Sequence, residues 1–429
     1  MKRYGQLVRE RATLTDETIE KITYGVIKRE GKWFCVQCET EQNHHFYQYH
    51  NTFFKEPITY CRHCITMGRM DSAHKVVLTQ THHQRSAGNY TLSFELSPQQ
   101  QFASSQIVTA LHEKNSLLLH AVTGAGKTEM MFEAISVARQ KGFNVAVVSP
   151  RVDVVIEVSQ RICQTFKHEN IDILHQASQQ KFQGHFIIAT VHQLYRFKNH
   201  FDVIFIDEVD AFPLSMDPNL MHCISSAARS EKTLIYMTAT PPKRLLKSFS
   251  PEHIITLPAR FHRHPLVVPT FKYFKVKFRR RQSYLIKHLK QQVQSQRTTL
   301  LFFSNIEEMK DFYETYQSLL DSLCYIYSED PERLSKVQAL RDGHYKIVLT
   351  TTILERGFTM PYLDVWVMDS HKYTASALIQ IAGRVGRKTV CPDGIVLFYH
   401  TGRTIAMYAA RHEIKRMNEL GRDKGWIKH

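Results

Sequence analysis

A chain of 429 residues, 43% hydrophobic and 11% aromatic, is long enough for two or three packed domains, and its composition excludes a disordered protein. Lysine and arginine outnumber the acids by 56 to 40, a formal net charge of +16, which points to a polyanion without choosing between nucleic acid and an anionic membrane surface. No run of 18 apolar residues predicts a membrane span, and the opening MKRYGQLVRERATL has no signal-peptide core, so the expected place of the protein is the cytoplasm.

The first 90 residues are rich in His, Cys and aromatics and show no regular alternation of strands and helices. Four of the eight cysteines fall in two doublets, CVQC (Cys35, Cys38) and CRHC (Cys61, Cys64). Each doublet brings two thiolates to one metal, so the four predict a closed tetrahedral zinc site with a structural role. The competing reading is a redox dithiol. His44, His45, His50 and His63 are expected on the polar surface, and most of Tyr4, Tyr24, Trp33, Phe34, Phe46, Tyr47 and Tyr60 in the small core of the zinc module, with base stacking as the alternative. Cys163, Cys223, Cys324 and Cys391 are scattered singly and read as ordinary buried thiols.

Residues 91–257 alternate apolar strands with helical stretches, the pattern of a parallel sheet. Strands are expected at Leu117–Val122, Val145–Ser149, Phe186–Ala189, Val203–Ile206 and Leu234–Met237. Ahead of the first, LSPQQQFA offers Ser97 and Gln100 in capping-box spacing with Pro98 at the first helical position; the same Gln100 stands where a glutamine could read adenine. The run LLLHAVTGAGKTEM leaves a buried strand through Thr123, Gly124, Ala125 and Gly126. Glycines there let successive N–H groups point inward at a phosphate, and the following helix adds its positive end. Lys127 is then placed for the β- and γ-phosphates and Thr128 for Mg²⁺, with Glu129 beside them. In that helix Met130, Met131, Ala134, Ile135 and Ala138 should share a buried face, and Gly142 should stop it.

DVIFIDEVDAFP presents Asp207 and Glu208 at the carboxyl end of another strand, where ligands of open α/β sheets gather. Asp207 suits Mg²⁺ and Glu208 suits polarising the attacking water. Residues 258–272 carry Pro258, Pro265 and Pro269 and read as a linker. A second alternating block follows in 273–429, with strands expected at Leu300–Phe303, Tyr325–Tyr327, Ile347–Thr350, Val365–Met368 and Ile395–Tyr399. The cluster KFRRR, Lys277 to Arg281, is either a binding patch or a solvated face. In QIAGRVGR, Gln380 to Arg387, a continuing helix would set Arg384 and Arg387 on one face, both able to reach phosphates, while its two glycines argue for close backbone approach.

Taken together, AVTGAGKTE, SPR (149–151), ATVHQL (189–194), DEVD (207–210), TAT (238–240), LFFS (301–304), TTTILERG (350–357) and QIAGRVGR resemble, in order, the motifs of superfamily 2 helicases and translocases. The resemblance implies two RecA-like parallel-sheet lobes, an α/β fold, behind the zinc-binding N-terminal domain, with ATP and Mg²⁺ as cofactors. It implies Lys127, Asp207, Glu208 and arginine fingers Arg384 and Arg387 in catalysis. Gln100, Thr123 to Glu129, Gly357 and Gln380 would bind nucleotide. Arg151, Thr190 and Thr351 would touch single-stranded DNA, and Asp210 with Thr238 to Thr240 would couple ATP state to motion. Thr359 replaces an aspartate common in related proteins, so a ribose or metal contact at that position is not carried over.

A Cys₄ module placed ahead of the phosphate loop resembles the ComFA late-competence family, DNA-uptake ATPases of Gram-positive bacteria. That resemblance implies pulling of transforming single-stranded DNA through a membrane channel from the cytoplasmic face. It also implies a phosphoribosyltransferase-like partner of the ComFC type, and leaves homo-oligomerisation and attachment to the inner membrane face open. Two alternatives stand beside it: a general repair or restart helicase, and a zinc-dependent nucleotide-binding scaffold without turnover.

Overall fold

The structure, a computed structural model, describes residues 3–9, 18–50, 56–176, 183–351 and 359–428. The N-terminal part is built of short strands: β1 (Leu7–Val8), β2 (Ile19–Tyr24), β3 (Val26–Arg29), β4 (Lys32–Cys35), β5 (Phe46–Tyr49), β6 (Ile58–Cys61) and β7 (Lys75–Thr79). β1, β7 and β2 form an antiparallel three-stranded sheet, and β3/β4 and β5/β6 are antiparallel hairpins. The β3/β4 turn has positive φ at both Glu30 and Gly31, the backbone twist a tight hairpin needs. These strands escape a sequence reading because most are four residues long or fewer and half exposed, too short for period-two patterning to show.

The first large sheet contains β8 (Leu117–Ala121), β9 (Val145–Ser149), β10 (Asp172–Leu174), β11 (Phe186–Thr190), β12 (Phe201–Asp207), β13 (Ala228–Thr238) and β14 (Ile254–Leu257), in the order β10-β11-β9-β12-β13-β8-β14. Every pairing described among β8 to β13 is parallel. β8, β9 and β11 are buried along their whole length, as expected for strands covered on both faces. β10 and β14 were not anticipated; each is a three- or four-residue apolar fragment at a sheet edge.

The second sheet, β15 (Thr270–Tyr273), β16 (Thr298–Phe302), β17 (Leu323–Ile326), β18 (Ile347–Thr350), β19 (Leu363–Val367) and β20 (Val396–His400), has the order β15-β20-β19-β16-β18-β17 and is also parallel. β15 begins inside the segment read as linker and forms its edge. Two parallel sheets of this kind are RecA-like lobes, and the α/β class is as expected.

The chain divides into two compact units, one of residues 1–95, 101–120 and 127–255, the other of residues 96–100, 121–126 and 256–429. In the first unit one apolar cluster runs from the cysteines and Val26, Met70 and Val76 into Val191, Leu194, Tyr195, Phe197 and the strands β9, β11 and β12. The N-terminal module is therefore part of that core. In the second unit Leu285, Leu289, Phe303, Phe312, Tyr316, Trp366 and Tyr399 form the centre. No helix of the described residues is long and apolar enough to cross a membrane.

Candidate nucleotide site and cysteine centre

Because β13 lies between β8 and β12, with Thr238 paired to His120 and Met237 to Asp207, the ends of these three strands meet at one edge of the sheet. Gly124 and Gly126 take φ of +81° and +78°, a region that costs a side-chain-bearing residue about 1 kcal/mol or more and glycine almost nothing. Ala125 N–H donates to Val122 O at 3.1 Å, closing the turn. The helix beyond starts at Lys127 and has a break in its ladder at Met131 before Phe132–Gln140; Met130, Met131, Ala134, Ile135 and Ala138 are all buried, as read from their spacing, and Gly142 follows the end at φ +81°.

Lys127 Nζ lies 2.9 Å from Asp207 Oδ1 and 3.7 Å from Glu208 Oε1, with all three side chains largely shielded from water. Glu208 holds φ +55°, a left-handed conformation at the strand exit that is uncommon for a residue other than glycine. Two residues on, Asp210 accepts from the hydroxyls of Thr238 (2.6 Å) and Thr240 (2.5 Å), so the DEVD and TAT segments are tied side chain to side chain. Thr128 is buried at the helix start. Its hydroxyl and the Asp207 carboxylate are hard oxygen donors of the type Mg²⁺ takes. Glu129 instead accepts from Arg161 Nη1 at 3.2 Å.

Gln100 forms the cap. Its Oε1 accepts from Ser97 N–H at 3.0 Å while Ser97 Oγ accepts from Gln100 N–H at 3.4 Å, and its Nε2 donates to Gly126 O at 3.4 Å. The same amide thus caps a helix and braces the phosphate turn. Arg151 stands at the N-cap position of Val152–Thr165, and its guanidinium donates to Asp153. Thr190 ends β11, and Thr351 follows β18. Gly357 lies outside the described residues.

The expected helix through QIAGRVGR is corrected by the structure. The helix runs only from Ala375 to Ala382; Gly383 to Gly386 are turn, with Gly386 at φ +69°, and Arg387 lies beyond it, so Arg384 and Arg387 do not share a helical face. Arg384 is 1% exposed, and Arg387 Nε donates to Gly383 O at 2.8 Å. The glycines do mark close approach. Within the second unit, a Cβ on Gly383 would overlap Thr123 Oγ1, which donates to Gly383 O at 3.3 Å, and one on Gly386 would overlap Pro392 O. Gln380 is buried on the helix before them. In the basic cluster, Arg279 pairs with Asp311 and Arg281 donates to Thr315 O and Ser318 Oγ, so two of its cations cover the neighbouring helix.

The four doublet cysteines converge. Cys35 and Cys64 lie 3.6 Å apart at sulfur, Cys38 and Cys61 3.6 Å, Cys61 and Cys64 3.8 Å, all fully buried. A tetrahedron with zinc–sulfur bonds of about 2.3 Å has sulfur–sulfur edges of roughly 3.8 Å, so the set fits zinc. The neighbouring Cys35 sulfur pushes the thiols of Cys38 and Cys64 up. A divalent cation reverses that effect by stabilising thiolates. Glu39, directly after Cys38, receives Lys198 (2.5 Å), Ser226 Oγ (2.6 Å) and His222 (2.7 Å), a polar latch that sequence reasoning missed because its partners are some 160–190 residues away. His63 and His45 stack at 4.5 Å, and His63 faces Tyr195, which makes these rings packing groups as well as surface.

Comparison with known proteins agrees with this architecture. Residues 8–78 match the competence protein ComFA N-terminal domain, 93–243 the type III restriction enzyme res subunit and 280–389 the helicase conserved C-terminal domain. The Competence protein ComFA of Bacillus subtilis is 35% identical over 97% of this chain and 94% of its own length, and that of Streptococcus pneumoniae 34% identical over 91% and 92%. The chain belongs to the ComFA competence family. RecG bound to a three-way DNA junction shares the fold at a TM-score of 0.55 and 18% identity, covering 78% of this chain and 47% of that one. The DEAD-box helicase Mss116 bound to single-stranded RNA and a nucleotide analogue gives 0.55 and 15%, covering 71% and 69%. Family and fold make the chain a competence-associated, ATP-hydrolysing enzyme of the superfamily 2 helicase type.

Proposed function

We propose that this chain is a single-stranded-DNA-stimulated translocase that draws transforming DNA into the cytoplasm. The observation that carries the reading is the largely buried set of Lys127, Asp207 and Glu208, Lys127 following the two-glycine turn in the chain, with the DEVD segment tied through Asp210 to Thr238 and Thr240. Lys127 exchanges its carboxylate partners for the β- and γ-phosphates of ATP. Thr128 and Asp207 hold Mg²⁺, which neutralises charge on those phosphates. Glu208 orients and deprotonates the attacking water, and Arg384 and Arg387 stabilise charge developing on the phosphoryl group. Arg151, Thr190 and Thr351 bind the DNA backbone, consistent with the excess of basic residues.

In this reading the four cysteines hold a structural Zn²⁺, and the site of action is the cytoplasmic face of the DNA channel, beside a phosphoribosyltransferase-like ComFC-type partner. The test is phosphate release titrated with single-stranded DNA, duplex DNA and RNA at two salt concentrations. Stimulation is expected with single strands, weakening as salt rises, and abolished in Lys127→Ala. Hydrolysis indifferent to single-stranded DNA overturns the translocase reading. Strong duplex unwinding favours a repair helicase, and no hydrolysis at all a scaffold.

A further inference from the structure

The segment joining β14 to β15 holds one residue whose surroundings are incomplete. Arg260 is 1% exposed, one of the largest fully buried side chains of the protein. All its neighbours named here belong to the second unit. Its Nη2 donates to Gly383 O at 3.2 Å and its Nη1 to Gly386 O, both carbonyls of the turn that carries Arg384 and Arg387. Its stem lies over the phosphate turn: a Cβ built on Gly124 would stand 3.6 Å from Arg260 Cγ and Cδ and 3.7 Å from Nε. Nε itself is buried with no hydrogen-bond partner.

Among the described residues no carboxylate pairs with this guanidinium. The charged neighbour that acts on it is Arg387, of the same sign; burial, with that neighbour, lowers its pKa from 12.5 to about 9, which still leaves it protonated at neutral pH. Two neutral carbonyls satisfy N–H groups but do not replace a counter-ion. The backbone around it is fixed. Gln99 exchanges two hydrogen bonds with Ala259 (2.6 and 2.7 Å), Phe261 N–H donates to Gly124 O at 3.1 Å, and His262 Nε2 donates to Gly386 O at 3.0 Å. A rigidly mounted cation against a phosphate-type glycine turn, with no carboxylate partner among the described residues, is arranged for an anion.

We infer that Arg260 is a phosphate-binding residue of the nucleotide site, whose unbalanced charge at the Gly124 turn is met by the triphosphate and whose fork passes nucleotide occupancy to the Gly383–Gly386 turn. The inference rests on the proposed ATPase reading and adds a third arginine to it. It differs from a purely structural role in the sign of one effect. Without nucleotide the charge is a burden on the fold, so removing it while keeping the stem relieves the protein; with nucleotide the charge is an asset.

The experiment compares wild type, Arg260→Met and Arg260→Lys in full-length protein. It measures thermal midpoint without and with Mg²⁺ plus ATP or ADP, binding of fluorescent ATP and ADP, and phosphate release with single-stranded DNA. Arg260→Met is expected to match or exceed the nucleotide-free midpoint of wild type. It should also lose most of the ATP-induced rise and bind ATP about tenfold or more weakly, with a smaller loss for ADP. Arg260→Lys is expected to keep ATP affinity within about threefold while kcat falls about tenfold, because the point charge survives and the fork does not.

Arg260→Met with wild-type ATP affinity and ATP-induced stabilisation overturns the inference. So does a large fall in the nucleotide-free midpoint of both variants, or failure of both to fold, because either outcome makes the role structural. If only Arg260→Met fails to fold, Arg260→Lys decides: the kcat loss with retained affinity supports the inference, and wild-type values in both overturn it. A wild type that does not hydrolyse ATP ends the ATPase reading itself. A wild type that does, alongside an indistinguishable Arg260→Met, ends this inference alone.

Discussion

At Lys127 a single ammonium serves two carboxylates, and the three groups are held where water screens them poorly. Lys127→Ala should therefore have two separable effects. It removes the proposed phosphate ligand, and it leaves Asp207 and Glu208 repelling one another, a loss on the order of 1–3 kcal/mol in the nucleotide-free protein. Adding Asp207→Asn should restore much of that stability without restoring turnover, which denaturant unfolding and phosphate release can measure side by side. Glu208→Gln, nearly isosteric, is expected to bind ATP normally and hydrolyse it about 10²- to 10⁴-fold more slowly. Asp210→Asn disturbs the hydroxyl bonds of Thr238 and Thr240; basal hydrolysis should persist while the part stimulated by single-stranded DNA falls.

The zinc-type hairpins, taken as elements, are anchored in the core of the first sheet rather than appended to it. Ile65–Met67 packs on Val191–Arg196, the short helix that follows Thr190, and Glu39 latches Lys198, His222 and Ser226. Glu39→Ala strips Lys198 of its carboxylate and should cost about 1–3 kcal/mol of stability, seen as a lower urea midpoint at unchanged metal content. Cys61→Ser should lose the metal, read by a zinc-sensitive dye, and weaken DNA binding more than ATP binding because Thr190 adjoins the disturbed helix. The long buried strands were legible because β8, β9, β11 and β12 are near-continuous apolar runs that end in chemically loaded turns. What the reading missed has physical causes. Fragments such as Asp172–Leu174 are too short to carry a period, the spacing of Leu378, Ile381 and Val385 imitates a helix past the glycine where it stops, and a lone arginine between prolines, Arg260, has no pattern at all.

At the scale of the whole molecule, several histidines among the described residues are held neutral by burial: it lowers the pKa of His185 to about 4, of His200 to about 3 and of His262 to about 4. The unfolded chain binds protons at these rings near pH 6.5 and the folded chain does not, so folded stability is full above about 6.5 and falls as pH drops toward 4. Each ring contributes up to about 1.4 kcal/mol per pH unit across that window. Urea midpoints at pH 7.5, 6.0 and 5.0 should decline accordingly, and His200→Gln should flatten the decline. The net charge of +16 acts in the opposite regime, on association rather than folding, and should make binding to single strands fall steeply with salt.

The order of the first sheet carries a consequence for synthesis. β8, which leads into the phosphate turn, has only β13 and β14 as neighbours, and these are Ala228–Thr238 and Ile254–Leu257. A nascent chain must therefore emerge from the ribosome for roughly a hundred residues beyond the glycine turn before that turn has a scaffold. Until then Leu117–Ala121 is a largely apolar ribbon without its sheet neighbours, open to mispairing, so shielding of this one strand during elongation should raise the yield of folded protein.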